Sequence, residues 1–125
     1  MKTYTKSGKQ FVDCSVLLCV TGGIAAYKAA ALTSELIQMG IRVRVVMSAG
    51  AQRFIQPLTF QALTADRVVT DLFDPDHVGV QHIELARTHD LVIVAPASAN
   101  TIYRIASGAA DDVVAATVLA SPSPL

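Results

Sequence analysis

Two adjacent glycines, Gly22 and Gly23, separate an apolar run at 15–20 from a long helical pattern. A strand that turns directly into a helix leaves backbone N–H groups unpaired at the positive end of the helix dipole. Such a turn suits an anionic group, most often a phosphate. Glycine fits here because a Cβ would hinder the turn and the approach of a ligand to the backbone. A tight βα turn without a ligand is the alternative interpretation.

The residues that follow distinguish between phosphate ligands. A dinucleotide site has the pattern Gly-x-Gly-x-x-Gly and an acidic residue at the end of the second strand. Here the glycines are adjacent, and the second predicted strand ends at Met47 and Ser48. NAD is therefore disfavoured, and the Ser48 hydroxyl can instead donate to the phosphate of a mononucleotide. A helix N-cap is an equally good interpretation of Ser48.

A second loop with hydrogen-bonding groups follows the most apolar predicted strand. It consists of Pro96, Ala97, Ser98, Ala99, Asn100 and Thr101. Small residues let the backbone approach a planar ligand, and the serine and asparagine offer hydrogen bonds. Ser98 or Asn100 can also be the N-cap of the next helix.

His82 is the candidate for proton transfer, because imidazole titrates near neutral pH. A single histidine on a helix is, however, more often a surface residue or a satisfied core residue. The three histidines share no metal-ligand spacing with cysteines or carboxylates, so no metal site is predicted. Asp111 and Asp112 are most simply a cap for the last helix.

Predicted strands and helices alternate along the chain. Strands are predicted at 15–20, 41–47 and 91–95, with a weaker candidate at 68–71, and helices at 24–39, 51–55, 58–63, 81–88, 100–107 and 111–119. This order predicts an α/β fold: a doubly wound, Rossmann-like or flavodoxin-like parallel sheet in three α/β/α layers. The loops at 21–24, 47–50 and 95–100 then meet at the carboxyl ends of the strands, where such sheets bind ligands.

The patterns also predict details of the first helix, the strand at 91–95 and the tail. On the first helix, the predicted core face holds Ile24, Leu32, Leu36 and Met39, and Gly40 ends the helix. The strand at 91–95 is expected to be buried on both faces of the sheet. The tail at 121–125 has no structure dictated by its own propensities.

Composition limits the range of functions. The 125 residues fit a flexible leader at 1–13 and one domain at 14–125. Ten basic and ten acidic residues balance, which gives no case for nucleic acid or a membrane surface. An apolar share of 52% suggests subunit contacts in a homo-oligomer. Cys14 and Cys19 point to opposite strand faces and cannot pair, and with no export signal they suggest a cytoplasmic protein.

Taken together, these segments resemble the flavin-dependent cysteine decarboxylases, a family that contains phosphopantothenoylcysteine decarboxylase and the peptidyl-cysteine decarboxylases. The resemblance covers about residues 15–120 and is closest to the decarboxylase part of the bifunctional coenzyme A biosynthesis enzyme. It rests on an ordered set of motifs at 21–28, 46–48, 54–63, 82–86, 96–101 and 110–112.

The resemblance implies FMN as cofactor, bound at subunit contacts of a trimer that sometimes assembles into a dodecamer. It implies that FMN oxidises the thiol of a cysteine-containing substrate to a thioaldehyde, after which the carboxylate leaves as CO2 and an enethiol forms. In the coenzyme A enzyme, reduced FMN then converts the enethiol of 4'-phosphopantothenoylcysteine to 4'-phosphopantetheine. The implied cofactor-binding residues are Gly22, Gly23, Ile24 and Ser48 towards the phosphate, and Phe54, Pro96, Ala97, Ser98, Ala99 and Asn100 towards the flavin, with His82 as the active-site base.

The sequence also departs from the family pattern. Members continue beyond the last helix into a strand, a Pro-x-Met-Asn-x-x-Met-Trp motif and a substrate clamp, whereas this sequence stops at Leu125. We therefore expect FMN binding to be more secure than turnover. The alternatives are a non-catalytic FMN-binding regulatory or scaffold subunit and a peptidyl-cysteine decarboxylase. A flavin prenyltransferase-like protein is disfavoured, because that group usually has a Ser-Gly turn after the first strand.

Overall fold

Three parallel strands form the sheet. The structure is a computed structural model that describes residues 11, 13–73 and 87–125. The central strand β1 (Ser15–Val20) is buried along its whole length and pairs on either side with β2 (Arg42–Met47) and β3 (Leu91–Val94). Val16 aligns with Val43 on one side and with Leu91 on the other. An isolated parallel bridge joins Val46 to Val69, at the position of the weaker predicted strand.

Helices cover both faces of this sheet. Successive side chains of β1 point to opposite faces, so Leu18 and Val20 pack in one apolar cluster and Leu17 and Cys19 in another. The first cluster includes residues of α1 (Ala26–Gln38) and α2 (Pro57–Thr64), and the second those of α3 (Ala99–Ser107) and α4 (Val113–Ala120). A short 3-10 turn, Ala51–Arg53, follows β2. The predicted three-layer α/β/α fold with a parallel sheet is confirmed.

Helix α1 begins two residues later than predicted, and its core face is partly different. Ile24 was expected in the core, but it lies in the turn before the helix and is 79% exposed. The buried positions are Ala26, Ala29 and Thr33, since small side chains let the helix pack closely on the sheet. Gly40 ends the helix as predicted, with a φ of 92° that favours glycine.

Strand β3 differs from the prediction of burial on both faces. Val92 is buried, but Leu91 is 37% exposed. Within the described residues, β3 pairs with β1 alone, so it is an edge strand. The tail that was predicted to lack intrinsic structure lies beside it, because the Val92 N–H donates to the Pro124 carbonyl at 2.9 Å.

Other expectations concern single residues or segments. Cys14 and Cys19 are free thiols, as predicted. None of the described helices is long and apolar enough to span a membrane. The predicted helix at 81–88 falls mostly outside the described residues, as does most of the predicted leader.

Candidate functional site

A cavity of about 740 Å³ opens at the carboxyl ends of the strands, where the predicted loops meet. It is lined by the turn after β1, the segment after β2 and the amino-terminal half of α3, together with the residue before α4. The lining residues are Gly22, Ser48, Ala49, Gly50, Arg53, Phe54, Ser98, Asn100, Thr101, Arg104 and Asp112. Four separate parts of the sequence thus come together around one space, as the fold class predicts.

The glycine turn presents unpaired backbone donors beside this cavity. Within the described chain, the N–H groups of residues 22–25 have no hydrogen-bond acceptor, and α1 has no side-chain N-cap. The first turn of the helix closes through the Ala26 N–H, which donates to the Gly23 carbonyl at 3.0 Å. Free N–H groups at the positive end of a 13-residue helix form a site for an anionic group.

At this turn a Cβ is hindered at position 22, and the obstacle is the neighbouring loop. Gly22 does not have a positive φ; a Cβ there would lie 3.1 Å from the carbonyl carbon of Gly50. Gly22 is therefore needed for the close packing of two loops. A Cβ on Gly23 would meet Pro96 Cγ at 3.7 Å, which is an ordinary contact.

Thr21 joins the glycine turn to the loop after β3, a role that the sequence did not reveal. Its buried hydroxyl accepts a hydrogen bond from the Ser98 N–H at 2.8 Å and donates one to the Pro96 carbonyl. The Thr21 N–H also donates to that carbonyl, at 3.3 Å. The Ala95–Pro96 peptide bond in this loop is cis. Thr21 thereby fixes the positions of two cavity walls relative to each other.

Ser98 is the N-cap of α3, as its alternative interpretation had it, whereas Ser48 bonds to the turn after β2 without being its N-cap, which is Gly50. Ser48 Oγ accepts from the Ala51 N–H at 3.2 Å, and Ser98 Oγ accepts from the Thr101 N–H at 3.1 Å. Ser98 also donates to Thr101 Oγ1 at 3.0 Å, so its hydrogen is occupied. The Ser48 hydroxyl hydrogen has no acceptor among the described residues and remains available to a ligand.

Two arginines of the cavity wall, Arg53 and Arg104, were missed from the sequence. Arg104 makes a hydrogen-bonded ion pair with Asp111, which lowers the pKa of that carboxyl and raises the pKa of the guanidinium. Asp112 caps α4 by accepting from the Ala115 N–H at 2.7 Å, as predicted for this pair of aspartates. Arg53 has no ion pair with a described residue, so it is the free cation of the cavity wall. The sequence offered one indication of this position: Arg53 immediately precedes Phe54, which was expected to contact the cofactor.

Not every predicted residue lies in the wall. Gly23 and Ile24 belong to the adjoining turn, Pro96 contacts Thr21, and Ala99 is exposed at the start of α3. Ala97 lines a separate apolar cavity along β3 and α3. His82 lies outside the described residues, so its position relative to the cavity stays a prediction.

Comparison with known proteins identifies the family. The Flavoprotein family model matches residues 5–123. The chain is 53% identical over 112 residues to the coenzyme A biosynthesis bifunctional protein CoaBC of Bacillus subtilis, an alignment that covers 89% of this chain but 28% of that protein. The chain thus spans less than a third of the length of the bifunctional CoaBC relatives that it matches.

Solved structures show the same similarity. The FMN-dependent cysteine decarboxylase SpaF superimposes with a TM-score of 0.83 at 33% identity, covering 90% of this chain and 66% of SpaF. A PPC decarboxylase variant complexed with pantothenoylaminoethenethiol gives a TM-score of 0.72 at 28% identity, covering 87% of this chain and 61% of that one. The resemblance to flavin-dependent cysteine decarboxylases is thereby confirmed, and the chain belongs to the Flavoprotein family.

Proposed function

We propose that this chain binds FMN in the cavity at the carboxyl ends of the strands and acts in the decarboxylation of the cysteine moiety of 4'-phosphopantothenoylcysteine. The observation that carries the proposal is the row of unpaired N–H groups at residues 22–25, at the start of α1 and beside the cavity. The proposed reaction is inferred from the related proteins. CoaBC is a coenzyme A biosynthesis protein, and SpaF is an FMN-dependent cysteine decarboxylase.

The residues present suit an FMN phosphate. Backbone N–H groups at a helix start bind phosphate without a side-chain cation, and the free hydroxyl hydrogen of Ser48 adds one donor. Arg53 adds a positive charge at the same cavity. The half-exposed ring of Phe54 offers an apolar surface for a planar ring system, and Ser98 and Asn100 line the same cavity.

The cofactor, when bound, supplies the redox chemistry that makes the substrate carboxylate a leaving group. The protein binds and orients both molecules. The hydrogen bonds of Thr21 hold the loop at 96–98 against the glycine turn and so keep the cavity in one shape. His82, by resemblance, is the base that accepts the proton of the substrate thiol.

Exposed apolar side chains support a homo-oligomer as part of the proposal. Ile24, Leu58, Phe73 and Tyr103 are each more than 60% exposed in the single chain. A homo-oligomer that covers these side chains would remove their apolar surface from water, which is favourable. The molecular mass in solution, measured by light scattering, tests this part: an oligomer is expected, and a monomer would contradict it.

The function is tested with three forms of the protein. Wild type loaded with FMN should show a flavin absorbance spectrum and release CO2 from 4'-phosphopantothenoylcysteine. The variant His82→Asn should keep the spectrum and lose CO2 release, while Gly22→Ala should lose the spectrum. Folded protein that cannot be loaded with FMN would refute the proposal. FMN binding without CO2 release would retain the cofactor site and exclude the catalytic part.

A further inference from the structure

A second polar cavity, of about 480 Å³, lies at the opposite edge of the sheet, where the strands begin. Its walls come from the start of β1, the first half of β2, the ends of α1 and α2, and the segment before β3. The residues with polar side chains in these walls are Ser15, Arg42, Arg44, Thr64, Asp66, Thr88 and His89. Its volume lies within the range of small-molecule sites, about 300–1,000 Å³.

Buried nitrogens without hydrogen-bond partners concentrate at this cavity. Among the described residues, four buried side-chain atoms lack a partner, and three of them, Arg44 Nε and both ring nitrogens of His89, belong to its walls. His89 is 9% exposed, so water in bulk does not supply the missing bonds. Native proteins leave few such groups, because each costs about 1–3 kcal/mol. Their concentration indicates a ligand with acceptor atoms.

Two arginines in the cavity wall supply donors that suit an anion. Arg44 Nε lies 3.1 Å from Asp66 Oδ2 in an ion pair that lacks hydrogen-bond geometry, and the nearby Asp90 carboxylate is engaged by the Ser15 N–H at 2.9 Å. Arg42 is exposed and has no ion pair with a described residue. Arg42 thus places an exposed guanidinium, a group that binds anions well, in the cavity wall.

His89 supplies a neutral ring to this arrangement. Burial first, and then the charges of Arg44 and Arg42, lower the pKa of His89, while Asp90 acts in the opposite direction. His89 and both arginines line the same cavity. A neutral imidazole has one donor and one acceptor, so it can bond to a ligand oxygen without adding charge.

We propose that this cavity binds a phosphate group, with the guanidinium groups of Arg42 and Arg44 and the ring of His89 as its donors. A phosphate has more acceptor oxygens and a higher charge than a carboxylate, and donors on two guanidinium groups and a ring suit several oxygens better than two. The group can be inorganic phosphate or the phosphate of a small monoester, since the chemistry is shared.

Side-chain NMR tests this site directly. FMN-saturated protein is titrated with sodium phosphate and, separately, with glycerol phosphate, while the Arg44 Nε–H and His89 ring signals are followed against a sodium chloride control of equal ionic strength. Saturable shifts with either probe support the proposal. The probe with the lower Kd shows whether the site prefers inorganic phosphate or a phosphate monoester. Signals that respond to phosphate only as they respond to chloride would overturn it.

A pair of variants with equal charge change separates a built site from general attraction. Arg42→Gln removes an exposed arginine from the cavity wall and should raise the phosphate Kd about tenfold. Arg67→Gln removes an exposed arginine outside that wall and should leave the Kd within about twofold of wild type. Equal effects of the two substitutions would refute the site. The signals of Arg44 and His89 report on the edge of the sheet opposite the proposed FMN cavity, so the result does not depend on FMN turnover.

Discussion

Replacing Thr21 with valine removes the hydroxyl that joins the glycine turn to the loop after β3, while keeping nearly the same shape. The Ser98 N–H then loses its acceptor at 2.8 Å. The Pro96 carbonyl loses one donor but keeps the Thr21 N–H at 3.3 Å. The main cost is therefore one unpaired, partly buried N–H group.

The cost of this unpaired N–H group determines the expected loss of stability and of FMN affinity. An unsatisfied buried donor costs about 1–3 kcal/mol, so the free energy of unfolding of Thr21→Val should fall by about that amount. Because the loosened loop forms a wall of the proposed FMN cavity, we expect the FMN Kd to rise about tenfold, which corresponds to about 1.4 kcal/mol. Thr21→Ser keeps the hydroxyl and should restore most of the affinity.

Two measurements check this expectation. Fluorescence titration gives the FMN Kd, and hydrogen exchange of the Ser98 amide reports the loop even in protein without FMN. Thr33→Val is the matched control: Thr33 is equally buried, and its hydroxyl donates at 2.8 Å to the Ala29 carbonyl within α1. This control should leave both measurements unchanged. The reasoning fails if folded Thr21→Val protects the Ser98 amide as wild type does, or if Thr33→Val weakens FMN binding equally.

Three further outcomes follow from single contacts. Gly22→Ala should lower the melting temperature measured by circular dichroism much more than Gly23→Ala, because a Cβ at 22 meets backbone at 3.1 Å and one at 23 meets a side chain at 3.7 Å; similar melting temperatures would contradict the packing argument. Burial raises the pKa of Cys19 to about 12 from 9.0, so stability in urea should fall as the pH rises from 9.0 towards 12, and Cys19→Ala should lack that fall. Because Arg104 lowers the pKa of Asp111, the stability from this carboxylate is present above pH 3.8 and lost as the pH falls below it. The acid unfolding curves of wild type and Asp111→Asn should therefore converge in that range, and curves that stay parallel would count against the pairing.

The periodic patterns predicted the fold well because burial dictates them. Each described strand and helix lies within a residue or two of its predicted place, and the carboxyl-edge loops meet as expected. Ile24 was misplaced because its apolar character suggested the core, whereas it lies in a turn before the helix. The exposure of β3 depends on which strands flank it in the sheet, and periodicity does not report that order.

The sequence predicted the loops of the candidate site better than the contacts between them. The glycine turn and the loop at 96–100 have local signals, since glycine, proline and serine report backbone shape. The contacts of Gly22 with Gly50, of Thr21 with Ser98 and of Arg104 with the cavity depend on where distant segments meet. Nothing in the neighbouring sequence of Thr21 indicates a partner 77 residues away.

The separation of 77 residues between Thr21 and Ser98 affects folding kinetics. Closing a loop of 77 residues costs more entropy than forming a local turn, so we expect this contact to form after the local ones. We therefore expect the cavity at the carboxyl edge to be completed late in folding. A ligand that binds it should slow the unfolding rate and leave the folding rate nearly unchanged, as expected for interactions absent from the transition state.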